Sequence, residues 1–200
     1  MTISDGRRQA VRLLGVSGSL RTHSYSTALL AALHDAMPAG AMLELFSLHE
    51  VPIYNQDKDP SYDKTARMQA PPGVVAFKAA ILQADGLIVS SPEYNYGIPG
   101  MLKNAIDWAS RPPSASPLKG KPILIITSSP GFMGGVRAQA QLRDVFFGTM
   151  SRVLARKQVV IPSVRHKIVD GRLADAVTLE TMLAATADLI AEISSLRATG

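Results

Sequence analysis

The sequence predicts a three-layer α/β domain, a five-stranded parallel sheet with helices on both faces, and three observations predict it. Strand-like and helix-like segments alternate along the chain, five of each. The strand segments are nearly continuous apolar runs without in–out alternation, the pattern of strands covered on both faces. Three of them run directly into loops rich in Ser, Gly and Tyr, where an open α/β sheet binds its ligands. Right-handed crossovers turn such an alternation into a doubly wound domain.

The first strand spans residues 11–16, apolar but for Arg12, and is bounded by Gly18. Leu29, Leu33, Ala36 and Met37 then recur at helical spacing across 26–37. A second strand over 41–48 runs into His49-Glu50-Val51-Pro52. Residues 54–72, rich in Asp, Asn, Lys, Tyr and Pro, make a long irregular connection, a candidate active-site flap or subunit contact. Val74, Phe77 and Ile81 mark the second helix, which leads into a third strand at 86–89, the apolar run before Ser90 and Ser91. Pro99 suits the first turn of the third helix, where its missing N–H costs nothing, and Leu102, Ala105, Ile106 and Ala109 give that helix its apolar side. A Pro/Ser-rich loop at 111–117 precedes a fourth strand at 123–127, opened by Lys121-Pro122. Leu142, Val145, Phe146, Met150 and Val153 mark the fourth helix, and 158–161 the fifth strand, closed by Pro162. Leu179, Met182, Leu183, Thr186, Ile190 and Ile193 line the last helix. No repeat or linker interrupts this order, so residues 1–10 read as a polar tail and 11–197 as one domain.

With 200 residues, 46% hydrophobic and 18% charged, the chain can bury a sizeable core. No run approaches the ~20 apolar residues that span a bilayer. The polar start carries no apolar signal region, so the expectation is a cytoplasmic chain without membrane insertion. The absence of cysteine excludes disulfides, thiolate nucleophiles, iron–sulfur clusters and cysteine-ligated zinc. His23, His34, His49 and His166 are dispersed without metal-ligand spacing, so no metal site is expected. The net charge of +5 comes from scattered Lys and Arg. With no basic run and no nucleic-acid-binding signature, it reads as a solvated basic surface or an attraction for small anions, and no nucleic-acid partner is expected.

The loop after the first strand reads Ser17-Gly18-Ser19-Leu20-Arg21-Thr22-His23-Ser24-Tyr25-Ser26. A phosphate wants amides at a helix N-terminus, hydroxyl donors and a guanidinium, and all are present. Ser24 or Ser26 can equally be a plain helix N-cap. Neither Gly-x-x-x-x-Gly-Lys-Ser/Thr nor Gly-x-Gly-x-x-Gly occurs in this loop, which favours a mononucleotide phosphate over a P-loop or dinucleotide site. The third strand ends in Pro92-Glu93-Tyr94-Asn95-Tyr96, whose π-faces and turn amides suit a flat heteroaromatic ring; ordinary surface or interface tyrosines are the other reading. The fourth ends in Ser128-Ser129-Pro130-Gly131-Phe132-Met133-Gly134-Gly135, where glycines permit close approach of backbone to a ligand.

Together these loops resemble those of the NADPH-dependent FMN reductase family, the flavodoxin-like branch that includes quinone, chromate and azo-dye reductases. The family motif Gly-Ser-x-Arg-x-x-Ser-x-Asn is matched at Gly18, Ser19, Arg21 and Ser24, with Ser26 in place of the final Asn. Pro-Glu-Tyr-Asn-x-x-x-Pro-Gly-x-Leu-Lys-Asn-Ala-Ile-Asp is matched throughout from Pro92 to Asp107. Ser-x-Gly-x-x-Gly-Gly-x-Arg-Ala is matched at Ser129, Gly131, Gly134, Gly135, Arg137 and Ala138. The chain is most similar to the bacterial class I chromate/quinone reductases of that family.

The resemblance implies a flavodoxin-like αβα sandwich of strand order 2-1-3-4-5, FMN as cofactor, NADPH or NADH as donor, and a homodimer or homotetramer with the site near a subunit interface. It implies Ser19, Arg21, Ser24, Tyr25 and Ser26 as holders of the FMN phosphate. Pro92, Glu93, Tyr94, Asn95 and Tyr96 would wrap the isoalloxazine edge, largely through backbone groups, with Ser129 and Gly131 on the other border. Lys103, Asn104 and Asp107 would brace the helix or the dimer. The implied chemistry is ping-pong, with hydride passing to flavin N5 and electrons then leaving to a quinone, chromate, azo compound or flavin; no side chain acts as catalyst. Glu93 reads as a structural hydrogen-bonding group or an interface contact, with a local acid or base as the other reading, and Arg111, Lys119 and Arg137 are candidate contacts for a 2′-phosphate. The alternative is a flavodoxin-type electron carrier without direct NAD(P)H activity, against which stand the basic charge and the Ser-x-Arg-x-x-Ser spacing.

Overall fold

The computed structural model describes residues 10–62 and 69–199. Strands β1 (Val11–Ser17), β2 (Ala41–Phe46), β3 (Gly86–Pro92) and β4 (Pro122–Ser128) alternate with helices α1 (Tyr25–Asp35), α2 (Pro72–Gln83), α3 (Gly100–Ala109) and α4 (Val136–Gly148). The edge after β4 is made of two short strands, β5 (Arg152–Val153) and β6 (Val159–Ile161). A hairpin, β7 (Ile168–Val169) and β8 (Arg172–Leu173), precedes the long helix α5 (Ala176–Thr199).

The main sheet is parallel, six-stranded and ordered β2-β1-β3-β4-β5, with β6 also paired to β4. The expected order 2-1-3-4-5 is therefore present, with its fifth position split in two. Although the strands are apolar along their length, alternate residues go to opposite layers. Leu14, Val16, Leu87, Val89, Ile123 and Ile125 pack with Phe77, Ile106 and Phe146 of α2, α3 and α4. Leu13, Ile88, Leu124 and Ile126 pack on the other face with Leu29, Leu33, Met182 and Leu189 of α1 and α5.

Several element boundaries differ from expectation. Ser90 and Ser91 lie inside β3, where the ladder to β4 continues to Pro92 and Ser128. Pro99 is the N-cap of α3 rather than a residue of its first turn. Val153 belongs to β5 rather than the fourth helix: Met150 adopts a left-handed φ of 58° just after α4 ends, and the chain turns back to pair with β4. The β7–β8 hairpin turns on Asp170 and Gly171, with φ of 48° and 77°. Asp-Gly with both φ positive is the pattern of a two-residue hairpin turn.

The described part of the 54–72 connection is fastened to α3. Asn104 accepts from the Tyr54 N–H at 2.6 Å and donates to the Pro52 carbonyl at 2.8 Å, while the Trp108 indole N–H donates to the same carbonyl at 2.9 Å. Tyr54 and Trp108 meet edge to face with centroids 4.8 Å apart. Residues 63–68, the middle of the expected flap, lie outside the described residues, as does most of the 1–10 tail.

Asp175 precedes α5. It accepts from the Thr178 N–H at 2.9 Å and from the Thr178 hydroxyl, and it pairs with Lys167 at 2.8 Å. The Lys167 hydrogen bond first, and the two from Thr178 next, hold its carboxyl down to about 2 from the usual 3.8. A depressed carboxylate stabilises the fold above its unfolded pKa and loses that contribution as pH falls through the folded one. Asp175→Ala is therefore expected to lower Tm by a few degrees at pH 7. The gap to the parent chain should close between pH 4 and pH 2. A gap that persists unchanged at pH 2, measured by thermal denaturation across that range, would contradict this account.

Candidate functional site

The parallel register sets the strand ends side by side: Ser17 faces Ser90, Pro92 faces Ser128, and Ser128 faces Ile161. The loops that follow β1, β3 and β4 thus leave the same edge of the sheet. The Gly18 N–H donates to the Ser90 carbonyl at 2.7 Å, which presses the first loop against β3. A Cβ on Gly18 would lie 2.7 Å from Ser91 Oγ and 3.1 Å from Ser91 Cα, so the contact needs glycine.

Ser24 is the N-cap of α1, its Oγ accepting from the Thr27 N–H at 3.3 Å. The hydroxyl proton remains to be donated. The N–H groups of Tyr25 and Ser26, first in the helix, have no carbonyl within it, as at any helix start. Ser19 is buried, and its Oγ accepts from the Arg21 N–H at 3.4 Å. Arg21 is exposed, its guanidinium 5.9 Å from the Tyr25 ring centre. Ser26 is 1% exposed, and its hydroxyl has no hydrogen-bond partner among the described residues. Open amides, a guanidinium and a buried, unpartnered hydroxyl are what a phosphate monoester satisfies. A cavity of about 390 Å³ opens on the β2 side of this loop, between Arg21, Thr27 and Leu45.

The loop after β3 is a two-residue hairpin turn. Tyr94 and Gly97 exchange both backbone hydrogen bonds at 2.9 Å, and Asn95 and Tyr96 take φ of 49° and 66°. Glu93 turns its carboxylate to α4, where Oε2 accepts from the Arg137 and Ala138 N–H groups at 2.9 and 3.2 Å. A carboxylate oxygen accepting two N–H groups of the first helical turn ties the base of the turn to α4, a structural contact. Arg137 reaches Glu93 Oε1 at 3.7 Å and lies over the Tyr96 ring at 4.2 Å.

After β4, Ser129 is tied to the neighbouring strand: its N–H donates to the Ile161 carbonyl at 3.1 Å and its carbonyl accepts from Val164 at 3.0 Å. Its hydroxyl accepts from the Gly131 N–H at 3.1 Å. Phe132 and Met133 project from this loop and, with Tyr94 and Tyr96, expose apolar surface. Sequence reasoning did not single out Thr127 or Ser90, both fully buried with hydroxyls unpartnered among the described residues. It also passed over Gln141, whose Oε1 accepts from the Ile98 N–H at 2.9 Å.

Two of the expected 2′-phosphate contacts fall elsewhere. Arg111 follows the end of α3 and Lys119 precedes the start of β4, which puts both at the N-terminal edge of the parallel sheet, opposite the loops. Lys103 and Asp107 form an exposed i,i+4 ion pair at 2.7 Å, of little energetic weight. Asn104 braces the Pro52–Tyr54 segment within the chain. Among the described residues, no cluster of three His, Asp or Glu side chains could hold a metal, and no helix is long and apolar enough to cross a membrane.

Strand order β2-β1-β3-β4-β5, with an anion-ready loop at the end of β1, is the hallmark of a flavodoxin-like mononucleotide-binding protein. A family model described as NADPH-dependent FMN reductase matches residues 11–166. The chain is 40% identical over 166 residues to the NAD(P)H-dependent FMN reductase of Pseudomonas aeruginosa, covering 82% of this chain and 85% of that protein. It is 37% identical over 175 residues to the quinone reductase of Escherichia coli K12, covering 86% and 88%. In structure it is similar to FerB, the flavoenzyme NAD(P)H:(acceptor) oxidoreductase of Paracoccus denitrificans, with a TM-score of 0.77, 29% identity, and coverage of 90% and 96%. The chain belongs to the NADPH-dependent FMN reductase family, an oxidoreductase with FMN as its cofactor and a reduced nicotinamide nucleotide as its donor.

Proposed function

We propose that the chain, acting as one domain over residues 11–197, passes electrons from NAD(P)H to quinones through FMN held at the ends of β1, β3 and β4. The observation that carries the reading is the 18–26 loop, with its open amides, its guanidinium and the buried Ser26 hydroxyl without a partner. In this reading Ser19, Arg21, Ser24, Tyr25 and Ser26 hold the phosphate. Residues Pro92, Glu93, Tyr94, Asn95 and Tyr96 border the ring on one side, Ser129 and Gly131 on the other. When bound, FMN supplies the redox chemistry, taking a hydride from the nicotinamide and yielding two electrons to the acceptor in a ping-pong cycle.

The protein's own part is to bind and orient. Arg21 offsets the phosphate charge, and the Ser24 hydroxyl donates while its oxygen caps α1. Glu93, bonded to the Arg137 and Ala138 N–H groups of α4, fixes the start of the 93–97 turn. Exposed Tyr94, Phe132 and Met133 offer flat acceptors an apolar surface at the strand ends. The relatives named as quinone reductases support quinones as the first acceptor class; chromate, azo compounds and free flavins belong to the same proposal. So do a homodimer or homotetramer built against this apolar rim and a cytoplasmic location, where NAD(P)H is supplied.

The test is the visible spectrum of the FMN-reconstituted protein under anaerobic conditions. NADPH or NADH is expected to bleach the bound flavin promptly, and benzoquinone to restore it. Bound flavin that neither nucleotide reduces would replace the reductase reading with an electron carrier. Failure to bind FMN would overturn the assignment of all three loops.

A further inference from the structure

The hairpin turn at 94–97 is held by more groups than its own two backbone bonds. Asn95 and Tyr96 both lie in the left-handed region, the conformation of a type I′ turn. Asparagine tolerates it, but the second central position favours glycine because a side chain crowds the backbone there. Here that position carries Tyr96, so the turn is strained as it stands. The N–H groups of Asn95 and Tyr96 point out of it and bond to nothing among the described residues.

Helix α4 supplies the restraint. Gln141 Oε1 accepts the Ile98 N–H at 2.9 Å, directly after the turn. A Cβ on Gly97 would lie 2.7 Å from that same oxygen, so the side-chain amide seats against a bare glycine. One helical turn earlier, Arg137 covers the Tyr96 ring at 4.2 Å. Residues four apart share one face of a helix. Arg137 and Gln141 thus grip the turn from the same side, while Glu93 fastens its base to the start of the helix.

We propose that Gln141 is a positioning residue for flavin binding: seated on Gly97 and paired with Arg137, it keeps the 94–97 turn in its left-handed form and its two free amides in fixed places. The inference rests on the reading of residues 92–96 as the flavin-edge contact. Gln141 itself touches none of the groups assigned to the phosphate.

Gln141 is exposed, so its replacement removes no core contact. Gln141→Ala is expected to weaken FMN binding about tenfold, the loss of roughly one hydrogen bond, read from the quenching of flavin fluorescence on titration. Gln141→Glu keeps an acceptor at the same reach and should restore affinity to within about threefold of the parent chain. Tyr96→Gly puts the favoured residue at the strained position, so the turn forms without help. In that background, adding Gln141→Ala should change FMN affinity less than about twofold, because coupled residues do not act additively.

An unchanged FMN affinity in Gln141→Ala, with or without a lower Tm, would overturn the positioning role while leaving the flavin site intact. So would a tenfold loss of the same size in both backgrounds. A parent chain that does not bind FMN would instead overturn the site, and the positioning role with it.

Discussion

Trp108→Ala lowers the melting temperature by roughly 10 °C, the largest stability loss expected from a single substitution in this chain. Trp108 is fully buried in α3, with Tyr54 edge-on to its ring. Truncating a large buried aromatic costs about 3–5 kcal/mol, and in a domain of this size each kcal/mol shifts Tm by about 2–4 °C. The lost indole hydrogen bond contributes little to that total, because the Pro52 carbonyl keeps a second donor in Asn104. Trp108→Phe, which retains most of the volume and drops the N–H, separates the two effects and should cost only a few degrees. Thermal denaturation followed by circular dichroism decides it. Equal losses in both variants would mean that the hydrogen bond, and not packing, fixes the 52–54 segment.

The largest functional loss is expected at Gly18. In Gly18→Ala the new methyl would sit 2.7 Å from Ser91 Oγ, 3.0 Å from Leu102 Cδ2 and 3.1 Å from Ser91 Cα. A hydroxyl can rotate away, but Ser91 Cα is backbone within β3, paired on to β4. The loop must therefore move instead of the strand, and the amides at the start of α1 move with it. FMN affinity should fall by a factor of ten or more, an overpacking cost of about 1–3 kcal/mol placed on the loop, with the far-ultraviolet spectrum unchanged. Adding Ser91→Gly removes the nearest atom and should recover part of the affinity. Parent-like FMN binding by Gly18→Ala would show that the close approach of loop to strand is dispensable.

Much of this architecture was legible because it follows from local pattern. Buried parallel strands announce themselves as apolar runs, and Leu29 and Leu33, or Met182 and Ile193, mark helix faces by spacing alone. What was missed depends on contacts between distant segments. Val153 fits the spacing of the fourth helix, and only the left-handed turn at Met150 and the pairing with Pro122 and Ile123 make it a strand. The hairpin at Asp170-Gly171 did carry a local signal, but its strands are two residues each, too short for alternation to show.

The site divides in the same way. The loop after β1 was readable as a candidate anion site, since amides, hydroxyls and a guanidinium collect in one stretch of sequence. Gln141 was not, because its partner Ile98 is 43 residues away and nothing in the helical period distinguishes it. Arg111 and Lys119 had the right charge for a phosphate at the wrong edge of the sheet. In a parallel sheet, the chain between a helix and the next strand lies opposite the strand C-termini, so within one chain topology separates them from the loops that charge alone would have joined them to.

The division of the fifth sheet position into β5 and β6 also bears on how copies of this protein behave when crowded. An unpaired strand edge is a template for another chain, and short or interrupted edges blunt it. On this side an incoming strand would meet two residues of ladder, then the break at residues 154–158, then three more residues before Pro162, which has no N–H to offer. The opposite edge, β2, runs six residues without interruption and exposes Met42 and Leu45 on either side of Glu44. The molecule is therefore blunted against edge-to-edge aggregation on one flank, and on the other, among the described residues, the Glu44 side chain and the His34 ring, 2.6 Å from the Leu43 carbonyl, stand in the way of an incoming strand.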